Sequence, residues 1–138
     1  MVTTDEIISL LKDISTIEDC YEDSDIFELG IIGDDFHEMI DGYATRYNVD
    51  MNGYLWYFHA DEEGVDGIGA LFFPPPYKRV KRIPLTPKML AGFANKGKWD
   101  IKYPAHKIPA KRYDLLINLI LLIVVLILGI FSIIISIV

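Results

Sequence analysis

Asp34, Asp35 and His37 form the closest grouping of residues in this chain that could do chemistry. Two carboxylates beside an imidazole can act as a general acid and base, or can ligate a metal. The same spacing has a simpler explanation, because Asp34 and His37 would lie three residues apart at the start of a helix and form a cap interaction. The pattern therefore favours capping over catalysis or metal binding.

The other potentially reactive residues are isolated along the chain. His59 lies near Asp61, Glu62 and Glu63, so we expect it to be part of a solvated loop. His106 lies in a linker beside lysines. Cys20 is the only cysteine, so it cannot form an intramolecular disulfide, and it has no recognisable histidine partner. The sequence contains no phosphate-binding loop, nucleophile elbow or zinc signature. We therefore expect a protein that is not an enzyme and that has no cofactor and no metal.

The charge of the chain is divided sharply between its two halves. The formal net charge is −7, but residues 1–66 hold 18 Asp and Glu with two basic residues, whereas residues 67–138 hold 11 Lys and Arg with two acidic residues. Such asymmetry indicates internal pairing, a charged partner or a charged surface, and a merely solvated acidic surface is the alternative. Nucleic-acid binding is disfavoured, because the basic residues belong to an acidic protein. We expect a basic protein partner for the acidic half.

The segment Leu115 to Val138 contains no charged side chain. At 1.5 Å per residue these residues make a helix about 36 Å long, enough to cross a hydrocarbon core of about 30 Å. A buried core helix is the alternative, but a head this small could not surround a helix that is apolar on every face. The sequence predicts one C-terminal transmembrane helix over residues 113–138, a tail anchor with no domain beyond it.

Basic residues precede the apolar segment at Lys107, Lys111 and Arg112. Positive residues beside a span mark its cytoplasmic side, and anionic head groups attract them. The first ten residues have no signal-peptide pattern, and a single cysteine suits a reducing compartment. We therefore expect a single-pass membrane protein with its head in the cytoplasm.

Periodic apolar residues predict three helices before this segment. The first covers residues 3–15. The second begins with Asp34 as its N-cap. The third begins with Thr86 as its N-cap and Pro87 at its first position, and it ends at Gly97.

The segments between these helices are less regular. Val49 to Tyr57 is expected to form a short helix or a strand, and Tyr77 to Leu85, which follows three prolines, is expected to form an edge strand. Phe72, Phe73 and Tyr77 could form an aromatic arm that packs on the core or a patch that touches lipid. Core packing is the favoured alternative, because buried aromatic residues are common.

Two motifs resemble parts of acyl carrier proteins. Leu29-Gly-Ile-Ile-Gly-Asp-Asp-Phe36 resembles their prosthetic-group site, where a Gly-x-Asp-Ser-Leu motif opens the second helix. Ile83-Pro-Leu-Thr-Pro-Lys-Met-Leu90 resembles the start of their last helix. With Trp56-Tyr-Phe, Phe72-Phe-Pro-Pro and Gly97-Lys-Trp99, the chain is similar over roughly residues 3–103 to a family of small enterobacterial proteins, domain of unknown function 1493, related to acyl carrier proteins. The resemblance implies a gram-negative, and so a bacterial inner-membrane, setting.

The chain departs from that resemblance at the residue that would carry phosphopantetheine. Asp35 falls where the modified serine should be, and a carboxylate offers no stable phosphodiester linkage. In carrier proteins the acidic second helix commonly docks basic patches on partner enzymes. The resemblance therefore implies that Asp34, Asp35, Glu38 and Asp41 keep a docking role without a cargo arm.

These observations predict a mostly α-helical protein. Residues 1–103 would form an acyl-carrier-like helical bundle with a short β or extended arm, residues 104–112 a basic linker and residues 113–138 the membrane anchor. The expected function is that of a membrane-anchored, non-enzymatic docking protein. A genuine acyl carrier in lipid metabolism, modified at an unexpected residue, and a membrane-anchored immunity protein that neutralises a basic toxin stay open as alternatives.

One stripe of the apolar segment follows the spacing of a left-handed helix pair. Small and polar residues allow close approach and hydrogen bonding between membrane helices. The stripe predicts a homo-oligomer or contact with another protein's span, although serine and glycine can also be passengers in a spanning helix. Its members are Asn118, Leu122, Val125, Gly129, Ser132 and Ser136.

Overall fold

The computed structural model describes residues 1–62 and 67–137, and this part of the chain is mostly helical and contains no β-strand. The prediction of a mostly α-helical protein with one long apolar helix near its C-terminus is confirmed. The helices are, in chain order, α1 (Thr4–Ile14), α2 (Gly33–Tyr47), α3 (Ile68–Phe72), α4 (Pro87–Lys96) and α5 (Tyr113–Ile137), and short 3-10 helices cover Trp56–Phe58 and Pro76–Arg79.

The chain divides into two compact units. The first unit comprises Met1–Glu63 and Val80–His106, and the second comprises Gly64–Arg79 and Lys107–Val138. Residues 67–79, which the sequence places in the head, thus group with the long helix. The expected boundaries at residues 103 and 112 stay predictions.

Local capping signals set the ends of α1 and α4. Thr3 and Glu6 form a capping box, in which each side chain accepts a hydrogen bond from the other residue's backbone N–H. Thr86 Oγ1 accepts a hydrogen bond from the Met89 N–H at 3.3 Å, and α4 ends where Gly97 adopts a φ of 67°. Both predicted ends of α4 are confirmed, because these signals act within a few residues.

The start of α2 differs from the prediction. The helix begins at Gly33, whose φ is 55°, and its N-cap residue Ile32 makes no side-chain cap bond. A glycine tolerates this left-handed conformation, so the N-cap lies two residues earlier than predicted, at Ile32. The expected N-cap role of Asp34 is therefore wrong. Asp34 and Asp35 instead occupy the first turn, where the helix dipole favours negative charge.

The core of the first unit forms where the apolar faces of α1, α2 and α4 meet. Tyr43 on α2 is fully buried, and its hydroxyl donates a hydrogen bond to the Leu90 carbonyl on α4 at 2.6 Å. The Asn95 side chain binds both the N–H and the carbonyl of Val2, which ties the start of α1 to α4. The fully buried apolar side chains include Ile7, Leu11, Ile26, Phe36, Met39, Phe58 and Leu90.

The segments that connect the helices form isolated backbone hydrogen bonds rather than β-strands. The helical alternative holds for part of Val49–Tyr57, where a 3-10 helix starts at Trp56, and Asp50 forms one isolated parallel bridge with Lys98. The edge strand expected over Tyr77–Leu85 is wrong. A 3-10 turn occupies its start, and the rest binds two different segments rather than one neighbouring strand, through Ile83 N–H to the Phe58 carbonyl at 2.6 Å and the Leu85 carbonyl to Ile26 N–H at 2.9 Å.

In the second unit, α3 packs against the first turns of α5. The Gly69 N–H donates a hydrogen bond to Asn118 Oδ1 at 2.8 Å. Phe72 and Phe73 remain exposed by 69% and 40%, so the favoured expectation that these two rings pack on the core is wrong. α3 is only five residues long and packs against α5, so the side of α3 that faces away from α5 stays exposed.

Candidate functional site

Four carboxylates line the outer side of α2. Asp34, Glu38 and Asp41 follow the i, i+4, i+7 spacing, and Asp35 lies three residues before Glu38, so the four share one helix surface. All four are exposed, whereas the opposite side of α2 is buried in the core. We call these four residues the acidic face. The structure thus brings together every residue for which the sequence predicts a docking role.

The acidic face has no internal cationic partner. Within residues 1–62 and 67–137, none of its carboxylates forms an ion pair or a side-chain hydrogen bond. Glu38 lies within helical reach of Asp34, Asp35 and Asp41, and each such like-charge pair costs about 0.2–0.5 kcal/mol. The helix dipole offsets this cost only in the first turn, at Asp34 and Asp35.

The acidic loop before α2 is arranged differently. Arg82 Nη1 lies 2.6 Å from Asp25 Oδ2, and Lys88 Nζ lies 3.4 Å from Glu22 and 3.5 Å from Asp23. The hydrogen bond to Glu22 and the charge of Asp23 raise the pKa of Lys88. The charge asymmetry of the sequence therefore has two parts, since this loop is paired internally whereas the acidic face is not.

A cleft of about 610 Å³ lies between the end of α1 and the start of α2. Asp35 belongs both to this cleft and to the acidic face. Ser15 also lines the cleft, and its hydroxyl donates a hydrogen bond to the Leu11 carbonyl at 2.6 Å. Acidic and aliphatic side chains make up most of the remaining lining, namely Ile14, Ile17, Glu18, Asp19, Glu28, Leu29 and Ile31.

His37 is turned toward an aromatic neighbour rather than into a catalytic group. Its ring centroid lies 5.6 Å from that of Trp56 at an interplanar angle of 70°. No hydrogen bond joins His37 to Asp34 in the part of the chain that the structure describes, so the expected cap interaction does not form. Among the same residues, no group of three His, Cys, Asp or Glu could hold a metal ion.

His59 is a buried structural residue whose environment sequence reasoning missed. It is 1% exposed, so the expectation of a solvated loop histidine is wrong. Its Nδ1 lies 2.9 Å from the Ile83 carbonyl and its Nε2 lies 2.8 Å from the Tyr103 hydroxyl. A carbonyl oxygen only accepts, so Nδ1 carries the proton and Nε2 accepts from Tyr103. The same hydroxyl also accepts hydrogen bonds from Trp99 Nε1 at 2.8 Å and from Leu55 N–H at 3.3 Å.

This arrangement keeps the imidazole of His59 neutral. Burial lowers the pKa of His59 to about 4. The Tyr54 ring stacks on it with centroids 6.0 Å apart and planes 7° apart, and the Trp99 ring meets it edge-on at 5.4 Å. Both ring nitrogens are hydrogen-bonded and the side chain is closed to solvent, so His59 supports the fold and has no free nitrogen for a substrate.

Neither Cys20 nor His106 forms a reactive centre. Cys20 is buried, and burial raises the pKa of its thiol although Lys12 acts in the opposite direction. A raised pKa disfavours the thiolate that a nucleophile needs. His106 is exposed, and its Nε2 lies 2.9 Å from the Tyr57 hydroxyl.

The residues of the predicted helix-association stripe fall into two groups. Asn118 is engaged within the chain through its bond to Gly69, whereas Gly129, Ser132 and Ser136 are exposed along α5. Self-association through this stripe stays a prediction. α5 itself is long and apolar enough to cross a membrane over Tyr113–Ser136, with a mean hydropathy of 3.3.

Comparisons of the chain with protein-family models, with curated proteins and with solved structures gave no match. The acyl-carrier resemblance, the docking role and the compartment therefore stay predictions.

Proposed function

We propose that this chain is a membrane-anchored, non-enzymatic docking protein. α5 crosses the bacterial inner membrane once, the first unit lies in the cytoplasm, and the acidic face binds a basic surface on a partner protein. The observation that carries the proposal is the acidic face itself, with four exposed carboxylates on one side of α2 and, among residues 1–62 and 67–137, no cation paired with them.

The energetics of α2 support a binding role over a merely solvated surface. Solubility needs only scattered charge, whereas Glu38 is placed where it repels three neighbours of the same sign. A nearby acidic loop shows that the chain can pair its acids with Arg82 and Lys88. A surface that lowers the stability of its own helix is expected where function requires it.

The chemistry of the acidic face defines its partner. Exposed carboxylates attract lysine and arginine clusters, raise the rate of encounter and reject acidic surfaces. The interaction should therefore weaken as salt is added, because exposed charges more than about 10 Å apart are largely screened at 0.1 M ionic strength.

Neutralising Glu38 and Asp41, the two residues of the acidic face that lie beyond the first turn of α2, tests the docking role. We expect Glu38→Gln with Asp41→Asn to reduce partner capture about tenfold or more, since charged contacts at an interface are commonly worth more than 1.4 kcal/mol. The free energy of unfolding should be unchanged or rise by less than about 1 kcal/mol, because repulsion is relieved. Capture is measured by crosslinking the full chain in membranes, followed by mass spectrometry.

The matched control is Asp5→Asn with Asp13→Asn, which removes the same charge from exposed positions on α1. Equal capture by the two double variants would show that only total charge matters, and would contradict the docking proposal. The identity of the partner then separates a general docking role from neutralisation of a basic toxin.

A second experiment tests whether the chain carries a prosthetic arm. Asp35 lies in the first turn of α2, where the acyl-carrier resemblance places the modified serine. We expect the intact mass of the full chain to stay unchanged on co-expression with a promiscuous phosphopantetheinyl transferase, while an authentic acyl carrier protein in the same cells gains the arm. A mass increase of one phosphopantetheine would favour the genuine carrier over the docking protein.

A further inference from the structure

The second unit contains an apolar surface beside the start of the long helix. Ile68, Leu71, Phe72 and Phe73 are exposed by 57%, 82%, 69% and 40%. We call these four side chains the α3 patch. Large apolar residues grouped in this way mark a surface that something covers.

Two glycines hold α3 against α5 at close range. A Cβ on Gly67 would overlap the Asn118 amide, and a Cβ on Gly69 would overlap the backbone carbonyl of Asp114. The Gly69 N–H donates to Asn118 Oδ1 at 2.8 Å, so this half-buried amide oxygen has a hydrogen-bond partner within the chain. The contact therefore fixes α3 beside residues 114–118 of α5.

The charges at the start of α5 set the depth of that contact. Leu115 to Ile137 has no charged side chain and spans about 35 Å, enough to cross a hydrocarbon core about 30 Å thick. Arg112 and Asp114 stay outside the hydrocarbon because burying charge there is costly, which places its edge close to Asn118, about one helical turn after Asp114. Just outside it, Arg112 Nη2 and Asp114 Oδ2 form an ion pair at 2.5 Å, as suits the head-group region.

We propose that the α3 patch inserts into the boundary between lipid head groups and acyl chains, as a second membrane contact on the cytoplasmic leaflet. The inference rests on the proposed membrane span of α5. The patch lies beside the exposed apolar residues at the start of α5, because α3 packs against that part of the helix. Phe73 also contacts Tyr113 with ring centroids 5.4 Å apart, and aromatic rings favour this depth.

The charge of the same unit matches an anionic lipid surface. The sequence of the second unit contains Lys78, Arg79, Lys107, Lys111 and Arg112, against Asp66 and Asp114 as the acidic residues. Basic residues beside an inserted apolar surface add attraction to anionic head groups. Lipid is therefore the occupant that fits both the apolar patch and its basic surroundings.

Depth measurements on the full chain test this inference. In a Cys20→Ala background, a spin label is placed at Leu71→Cys, at Val125→Cys within the span, or at Asp13→Cys on the exposed side of α1. The proteins are placed in nanodiscs of phosphatidylethanolamine and phosphatidylglycerol. The ratio of collisions with oxygen to collisions with a water-soluble nickel chelate should be several-fold higher at positions 71 and 125 than at position 13.

The outcomes separate the two proposals. A water-like ratio at position 71 together with a membrane-like ratio at position 125 overturns insertion of α3 and leaves the span intact. A water-like ratio at position 125 overturns the span itself. A label at position 71 that is shielded from both reagents shows that protein covers the patch, which also overturns insertion.

A glycine substitution tests the contact that sets the depth. Gly69→Ala should shift the label at position 71 toward water, because the new Cβ would meet the α5 backbone. Gly92→Ala on α4 is the matched control, since a Cβ there meets nothing within 4 Å and should leave the depth unchanged. An unchanged depth in Gly69→Ala would show that this contact does not position the patch.

Discussion

A chain truncated after Arg112 is expected to move almost completely from the membrane fraction to the soluble fraction. The truncation removes α5, whose exposed apolar side chains include Leu119, Leu122 and Phe131. Burying each CH₂ group is worth about 0.8 kcal/mol, so the sum over α5 makes insertion effectively irreversible. The α3 patch alone should not retain the chain, because its contact with Asn118 is lost with α5. Membranes washed at alkaline pH and analysed by immunoblotting give the measurement.

The matched control replaces α5 with an unrelated apolar span of equal length, which should restore membrane attachment. Flotation with vesicles in a density gradient distinguishes lipid binding from aggregation of the truncated chain. A truncated chain that floats after the alkaline wash would show that attachment depends on another segment.

The first unit is expected to lose stability as the pH falls from about 6.5 to about 4. His59 has a pKa of about 4 in the folded chain, against 6.5 in the unfolded chain. The unfolded chain therefore binds the proton more readily, so the stabilisation is complete above pH 6.5 and is lost progressively below it. The difference between the two pKa values corresponds to about 3 kcal/mol in the free energy of unfolding.

Denaturant unfolding of the full chain in detergent micelles measures this loss. Trp99 fluorescence reports on the unit directly, because its ring lies 5.4 Å from that of His59. In His59→Gln the part of the loss in free energy of unfolding that His59 causes between pH 6.5 and 4 should disappear, although stability at neutral pH also falls. Tyr103→Phe should cost about 1–3 kcal/mol, since Nε2 and the Trp99 N–H then lose their partner. A His59 resonance that titrates near pH 6.5 would contradict its burial.

Sequence reasoning succeeded where the physical cause is local. Thr86, Pro87 and Gly97 fix the ends of α4 through bonds within a few residues, and a run without charge is sufficient to identify α5. It failed at Asp34 because the left-handed conformation of Gly33 lets the helix start two residues earlier. The shared surface of the acidic face follows from helical periodicity alone once α2 is placed.

The remaining features depend on contacts between distant parts of the chain. Burial of His59 requires Ile83 and Tyr103, which lie 24 and 44 residues away in sequence. The acidic residues that follow His59 in sequence predict a solvated loop, but tertiary packing buries the His59 side chain. The bond between Gly69 and Asn118 spans 49 residues, so no local pattern could reveal that these residues meet.

The division into two discontinuous units also sets an order for synthesis on the ribosome. Every residue of the first unit has been made once His106 is incorporated, whereas the second unit needs residues from Lys107 onward. Domains generally fold as units, beginning with the segments made first. The core of the first unit can therefore form without any residue of α5, whereas α3 depends on Asn118, which is made 49 residues after Gly69. Until Asn118 is made, the α3 patch lacks the contact that holds it against α5.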